Sequence, residues 1–395
     1  MKYVMPRLNT VKTRTGYHRC KARKVKCDEA HPKCGACSRH GVECTYDKVR
    51  VNRRKQTLAK IRAAPTETHS VEDKARPIDS RISTLLETRL MHEWTAYVCH
   101  TLSTAWEFWK YEAPLLAFEH RCILDGLLCL AALYIARPNT QDIICLGVTR
   151  ADMPYIASIY FERALSGHQK MLTDLSLSNV EAAYVSCTCI TLASLVTLRG
   201  EVEESRFLVN GFSQWLRLSR GMKFIVNKWH GLASFEEVRK FAIFRSKPDL
   251  SNPSELYNRE NAEPFKHLLT WAKEHELQTP EDQDAYAKAL SYIGLMYRGI
   301  TEGFDHPYGT CRRIVAMTSL LPERFVELIE IRRPRALAMA MHVFACMKLV
   351  EKEVFWMEGI AEQQIPILLR DMPSAWADAV PWPLGLIESE GSTRI

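Results

Sequence analysis

The sequence predicts a mainly α chain: a small cysteine-rich head joined by a linker to a large all-α helical domain. Three observations predict it. Five cysteines fall within 25 residues near the N-terminus. Basic charge gathers in the same region: residues 1–62 hold 18 Lys/Arg against 4 Asp/Glu, a net +14, while the rest holds 35 against 42, a net −7. Beyond about residue 83, apolar residues recur at helical spacing, without alternating strands and hairpin turns. A length of 395 residues suits two domains, and 47% hydrophobic with 25% charged residues is globular composition.

The head is read first. Its spacing is Cys20-x6-Cys27-x6-Cys34-x2-Cys37-x6-Cys44. Thiolates close on Zn²⁺ at about 2.3 Å, and x2 and x6 loops are short enough to bring them there. Thirteen cysteines is an odd number, which excludes complete intramolecular disulfide pairing. The opening MKYVMPRLNTVKTRTG lacks the apolar stretch of a signal peptide, so a reducing compartment is expected, where clustered cysteines favour metal. Between Cys20 and Cys27 sits KARKVK, four cations in six residues and long enough for a turn and a half of helix. Between Cys27 and Cys34 sits DEAHPK, a loop turned at Pro32. A cationic head on a mildly acidic body points to a polyanion partner. Taken alone, RKVK and Arg53-Arg54-Lys55 also read as import signals or solvated faces.

The linker follows, over 47–82. It is basic at first, polar later, and broken by Pro65 and Pro77. Val51, Leu58 and Ile61 give under two heptads before Pro65, short of a coiled coil, so a basic tether is expected.

The body, 83–390, reads as helix after helix. Leu86, Leu90, Trp94, Val98 and Leu102 recur at four-residue spacing on one face. Residues 118–136 are apolar around most of the circumference, which predicts a central helix. Helices are expected over 153–173, 179–199 and 202–220, the last ended by Gly221 as its C′ glycine. Two more are expected over 264–276 and 281–300, with Pro264 and Pro280 at their starts. Another spans 335–364 and should stop at Pro366. Ala182–Leu198 carries no charge, but its five Ser/Thr residues and flanking Glu181 and Arg199 favour a core helix; no membrane span is expected.

Catalytic signatures are missing: no Ser/His/Asp arrangement, phosphate-cradling glycine loop or HExxH appears, so no enzyme is expected. His92, His120 and His168 stand alone and read as core-edge histidines. Cys187 and Cys189 point to opposite sides of a helix and cannot chelate together. Trp94, Phe118, Trp356 and Met357 are expected in the core.

The stretch Cys20-Lys21-Ala22-Arg23-Lys24-Val25-Lys26-Cys27-Asp28-Glu29-Ala30-His31-Pro32-Lys33-Cys34, with Gly16 before it and Cys44-Thr45-Tyr46 closing it, resembles the fungal Zn₂Cys₆ binuclear zinc-cluster family over residues 15–46. The resemblance implies a zinc-bound DNA-binding head with Cys20, Cys27, Cys34, Cys37 and Cys44 as metal ligands. It implies that the helix after Cys20 enters the major groove of double-stranded DNA over CGG-like sites. Arg23 and Lys24 then meet base edges, while Arg19, Lys21 and Lys26 meet phosphate. One position departs: the family's first, ion-bridging cysteine falls on Tyr17, a poor replacement for a thiolate. Each ion of a pair keeps three thiolates, Cys20, Cys27 and Cys34 on one and Cys34, Cys37 and Cys44 on the other, with His18, His31 or His40 as substitutes for the missing ligand. One Zn²⁺, a water-completed pair and a damaged cluster all stay open.

The body stretches LMHEWTAYVCHTLS, AFEHRCILDGLLCLAALYIAR and PRALAMAMHVFACMKLVEKEVFWMEGIAEQQIPIL, with Trp382-Pro383, resemble the regulatory domain of fungal sterol-uptake-control-type regulators. That resemblance implies a nuclear transcription regulator, a homodimer or heterodimer, and a body responsive to a sterol or other hydrophobic ligand, with the apolar run Gly126–Ala136 as its basis in this sequence. Two alternatives stand beside it. One is a regulator whose disabled cluster leaves it to act through protein partners. The other is a helical carrier or enzyme for hydrophobic metabolites with an incidental basic head.

Overall fold

The computed structural model of the chain describes residues 20, 34–40, 42, 80–138, 143–145, 147–200, 211–232, 247–271 and 276–391. The chain divides into Met1–Arg76 and Pro77–Ile395. In the first unit the described structure is Cys20, the short helix α1 (Gly35–Arg39) and its flanks. The second unit is helical, with one two-stranded hairpin among its described residues.

The body opens with α2 (Ser80–Ala96), which starts inside the stretch assigned to the linker. Leu86, Leu90 and Trp94 are buried as their spacing requires, and Val98 and Leu102 continue the buried row past the helix end. Trp94 is fixed by an indole N–H donated to the Trp109 carbonyl at 3.0 Å. A single π-helical turn, Phe108–Glu112, runs into α3 (Ala113–Glu119). His120 then adopts an extended backbone, φ −125° and ψ 94°, before α4 (Arg121–Ile135). The expected helix over 118–136 is therefore broken at His120. Phe118 ends up on the preceding helix with 86% of its surface exposed, which corrects its assignment to the core.

The α4 helix is buried almost all round, as its composition required. A hairpin follows, β1 (Ile143–Cys145) antiparallel to β2 (Val148–Thr149). Strands this short leave no alternation for sequence to show. Next come α5 (Met153–Thr173) and α6 (Val180–Val196). Small residues let these helices meet α4. A Cβ on Gly126 would lie 2.9 Å from Cys189 Cβ, and one on Gly167 would lie 2.7 Å from Cys122 Cβ. Val180–Arg199 is long and apolar enough to cross a membrane, but 83% of its apolar window is buried in the fold, as in a core helix. Cys189 packs into the main core and Cys187 into a smaller cluster with Met222, Ile225 and Trp229, on the opposite side as expected.

Of the helix expected over 202–220, residues 201–210 lie outside the described set, and α7 spans Phe212–Ser219. Gly221 does not terminate it with a left-handed residue. Instead it opens α8 (Gly221–Leu232), because Arg220 stays in the right-handed region and Lys223 N–H bonds the Arg220 carbonyl at 3.0 Å. Beyond lie α9 (Pro253–Leu256), a 3₁₀ stretch Arg259–Phe265 and α10 (His267–Thr270). Pro264 sits inside the 3₁₀ stretch, not at a helix start. The helix expected over 264–276 is broken because its carbonyls have another partner. The fully buried Arg335 guanidinium donates to the Leu268 carbonyl, to the Trp271 carbonyl at 2.7 Å and to Glu276 at 2.8 Å.

The helix α11 (Pro280–Thr301) begins as expected, with Pro280 in the first turn and a capping box between Thr279 and Asp282. At Gly294 the Asn261 carbonyl oxygen lies 1.8 Å from where a Cβ would be, so only glycine lets the 3₁₀ stretch seat against α11. Then come α12 (Pro307–Leu320), α13 (Glu323–Glu330) and α14 (Pro334–Val350), the last buried on nearly every side. The expected helix over 335–364 is split. A 3₁₀ turn, Phe355–Met357, carries the buried Trp356 and Met357, and Gly359 at φ 74° precedes α15 (Ile360–Arg370). Pro366 is inside α15 and does not stop it. It lies on the exposed face, where water can reach the Glu362 carbonyl that it leaves without an N–H. The last described helix is α16 (Pro381–Gly391).

Candidate metal centre

A short CxxC helix sets the site. Cys34 stands at the N-cap of α1 with an extended backbone, φ −68° and ψ 150°, and its Sγ accepts the Cys37 N–H at 3.4 Å. Ser38 N–H closes the first helical turn onto the Cys34 carbonyl at 2.9 Å. The cap puts the thiols of Cys34 and Cys37 on one side of the turn. Cys20 meets them from 14 residues upstream, its Sγ 3.6 Å from that of Cys34 and 3.9 Å from that of Cys37. All three are buried and none is in a disulfide.

These distances fit a tetrahedral thiolate site. Sulfurs each about 2.3 Å from one zinc ion lie about 3.8 Å apart. A disulfide needs about 2.05 Å. The donor set is of a kind zinc takes in structural sites. A tetrahedral zinc ion takes one ligand more than these three thiols supply. Cys20 and Cys37, which the family resemblance places on different ions, have their sulfurs 3.9 Å apart. His40 ends α1 on an exposed site outside this group of donors. Cys27 and Cys44 lie outside the described residues, as do Tyr17, His18, His31 and the cations Arg19, Lys21, Arg23, Lys24 and Lys26.

The body offers a different feature. The apolar run Gly126–Ala136, expected to mark a ligand site, is packed core in α4. A cavity of about 160 Å³ lies elsewhere, lined by Trp109, Tyr184, Leu192, Met222, Arg312 and Val315 among others. Sequence gave no signal for it, because α6, α8, α12 and two connecting segments each supply only a few wall residues. His92 is exposed and His120 forms the break before α4. His168 is buried, as expected of a core-edge histidine.

Comparison with known proteins adds two findings. Residues 18–53 match the fungal Zn(2)-Cys(6) binuclear cluster domain, a match that starts one residue after Tyr17. Most of the chain, 85%, aligns at 28% identity with 86% of a Zn(2)-C6 fungal-type transcription factor, afumD, from Aspergillus fumigatus. Another Zn(2)-C6 fungal-type transcription factor, from Gibberella zeae, is 26% identical over 98% of this chain and 88% of its own length.

Proposed function

We propose that the chain is a DNA-binding transcription regulator and not an enzyme, that it acts in the nucleus, reads CGG-like sites through its head, and is controlled by a helical ligand- or partner-responsive body. The match of residues 18–53 to the fungal Zn(2)-Cys(6) cluster domain and the likeness of most of the chain to Zn(2)-C6 fungal-type transcription factors support this reading. The observation that carries the reading is the convergence of Cys20, Cys34 and Cys37 at tetrahedral thiolate spacing beside a run of cations.

In this reading, zinc is held by Cys20, Cys34 and Cys37, with Cys27 and Cys44 as the remaining thiolates. Zinc supplies cross-linking: it fixes the head, which is too small to be held by a core of its own. The segment between Cys20 and Cys27 then presents its cations to DNA. Arg23 and Lys24 donate to the N7 and O6 acceptors of guanine, and Arg19, Lys21 and Lys26 neutralise phosphate and release counterions. The head spans 15–46, the tether 47–82 and the regulatory body 83–390, which also carries homodimer or heterodimer formation and the response to a hydrophobic ligand.

Tyr17 favours a second reading, in which the incomplete cluster leaves the protein to act through protein partners. One experiment separates them. The purified full chain is titrated against a CGG-containing duplex and a scrambled duplex by fluorescence anisotropy, with zinc counted by elemental analysis. Zinc present and a CGG preference removed by chelation supports direct reading. Zinc-free protein with equal weak affinity for both duplexes supports the second. Tyr17→Cys is expected to raise the zinc count toward two and to tighten binding to the CGG duplex.

A further inference from the structure

The cavity in the body is bounded by the segment before α3, by α6, α8 and α12, and by the stretch at 249–251. From its size and walls we infer that it binds a small, uncharged amphiphile: an apolar body of one or two fused rings carrying a hydroxyl. This rests on the reading of the body as ligand-responsive and gives that reading a ligand class.

Size comes first. At about 160 Å³ the cavity falls below the roughly 300–1,000 Å³ of sites that enclose drug-sized ligands. It is close to the cavity of about 150 Å³ that takes benzene in an engineered protein. A volume of this size does not enclose a rigid four-ring sterol whole. The walls decide the rest. Trp109, Leu192, Met222, Val226, Val315 and Leu320 make the lining mainly apolar. Two charged side chains of opposite sign, Arg312 and Asp249, also line it, so any ionic ligand attracted by one is repelled by the other. Arg312 is only half-buried by surface because it faces this opening, yet the dense surroundings lower its pKa by desolvation, offset in part by Tyr184, Tyr292 and Asp249. Its Nε–H is already given to the Pro248 carbonyl at 3.2 Å.

The hydroxyls of the wall point the same way. Thr188 donates to the Tyr184 carbonyl at 2.9 Å and Ser319 to the Ala316 carbonyl at 2.8 Å. Ser103 accepts the Trp109 indole N–H at 3.1 Å. With their protons committed, Thr188 and Ser319 offer lone pairs, which suit a ligand hydroxyl. The occupant touches α6, α8 and α12 together, so it binds the packed body and not the opened one, and stabilises it by mass action.

The test uses the full chain and three probes: 2-naphthol, 2-naphthoate and cholesterol. Saturating 2-naphthol is expected to raise Tm by about 2–4 °C, and the other two are expected to leave it unchanged. Ala316→Phe and Val226→Phe each fill the cavity from a half-buried position on a different helix, so one remains if the other does not fold. Both should abolish the shift. No shift with 2-naphthol, or a shift surviving both fillers, overturns the site. A larger shift with 2-naphthoate overturns the uncharged class, and a cholesterol shift erased by the fillers overturns the size. CGG-duplex affinity is measured with and without 2-naphthol. If it is unchanged while the filler-sensitive shift stands, the site holds and ligand control of DNA binding fails.

Discussion

The thiols of the head and those of the body live by opposite rules. In the head, Cys20, Cys34 and Cys37 turn toward one another at 3.6 and 3.9 Å, around a point a cation can occupy. In the body, cysteines are scattered through the core, and burial pushes their pKa up, to about 11 for Cys99 and about 12 for Cys187 and Cys311. Cys129, Cys189 and Cys346 are pushed up in the same way. A thiol held protonated in an apolar core packs as a small hydrophobe. Those in the head are buried too, so burial does not separate the two sets. Spacing along the chain and the convergence of three sulfurs on one point do. The body folds on its apolar core, whereas the head has too little chain for one and must depend on a metal.

The largest test of this difference is removal of the metal. Structural zinc supplies about 10–16 kcal/mol to units of this kind. A strong chelator is therefore expected to abolish CGG-specific binding and unfold the head, while the main thermal transition of the body stays in place. Loss of both together would break the comparison. Calorimetry and anisotropy on one sample decide it.

Acid is expected to act on the body through its buried histidines. Burial lowers His168 and His342 to about 4, against about 6.5 in an unfolded chain. Both are neutral when folded, so the unfolded chain takes up protons first as pH falls. Their stabilisation is complete above about pH 6.5 and drains away between 6.5 and 4, by on the order of 3 kcal/mol each. Glu181, raised by burial to about 7, works in the opposite direction, favouring the folded state as pH falls from 7 toward 4.5. Urea denaturation at pH 7 and pH 5 measures the net slope, and His168→Phe is expected to flatten it.

Smaller effects are expected within the head. Lys24→Ala should cost about 1–3 kcal/mol on CGG sites and blur the preference for them. Lys26→Ala should weaken all sequences alike and lower the salt slope by about one. Equal loss of specificity from both would dissolve the assigned division between base and phosphate contacts. The smallest perturbation is alkylation of the folded protein with iodoacetamide. Mass spectrometry after chelation should find the label on head cysteines, and the buried body thiols Cys129, Cys189 and Cys346 should stay unmodified.

Where local chemistry decides the structure, the sequence could be read directly. The four-residue row from Leu86 to Leu102 is buried, and Thr279, Pro280 and Asp282 start a helix as their types demand. The cysteine spacing announced a thiol cage, and three of its five members are seen to meet. Misreadings arose where a distant partner outweighs a local preference. Arg335, far along the chain, takes the carbonyls that would have continued a helix past Thr270. Pro366 is tolerated because its side of α15 faces water, and Gly221 serves α8 because Arg220 never turns left-handed. Phe118 reads as core by type but sits two residues before the extended break at His120, on the exposed side of α3. The ligand cavity was illegible because its wall is assembled from five separate segments.

The sulfur of Cys34 does two jobs at once, since the atom offered to the metal is also the acceptor of the Cys37 amide proton. The electron density on that sulfur changes when a cation binds, and the amide feels the change through the hydrogen bond. In a sample labelled with ¹⁵N at cysteine, the Cys37 resonance thus becomes a built-in meter of metal occupancy. Its chemical shift and solvent-exchange rate report on the head as an average over the solution, with no DNA present and no assay of transcription.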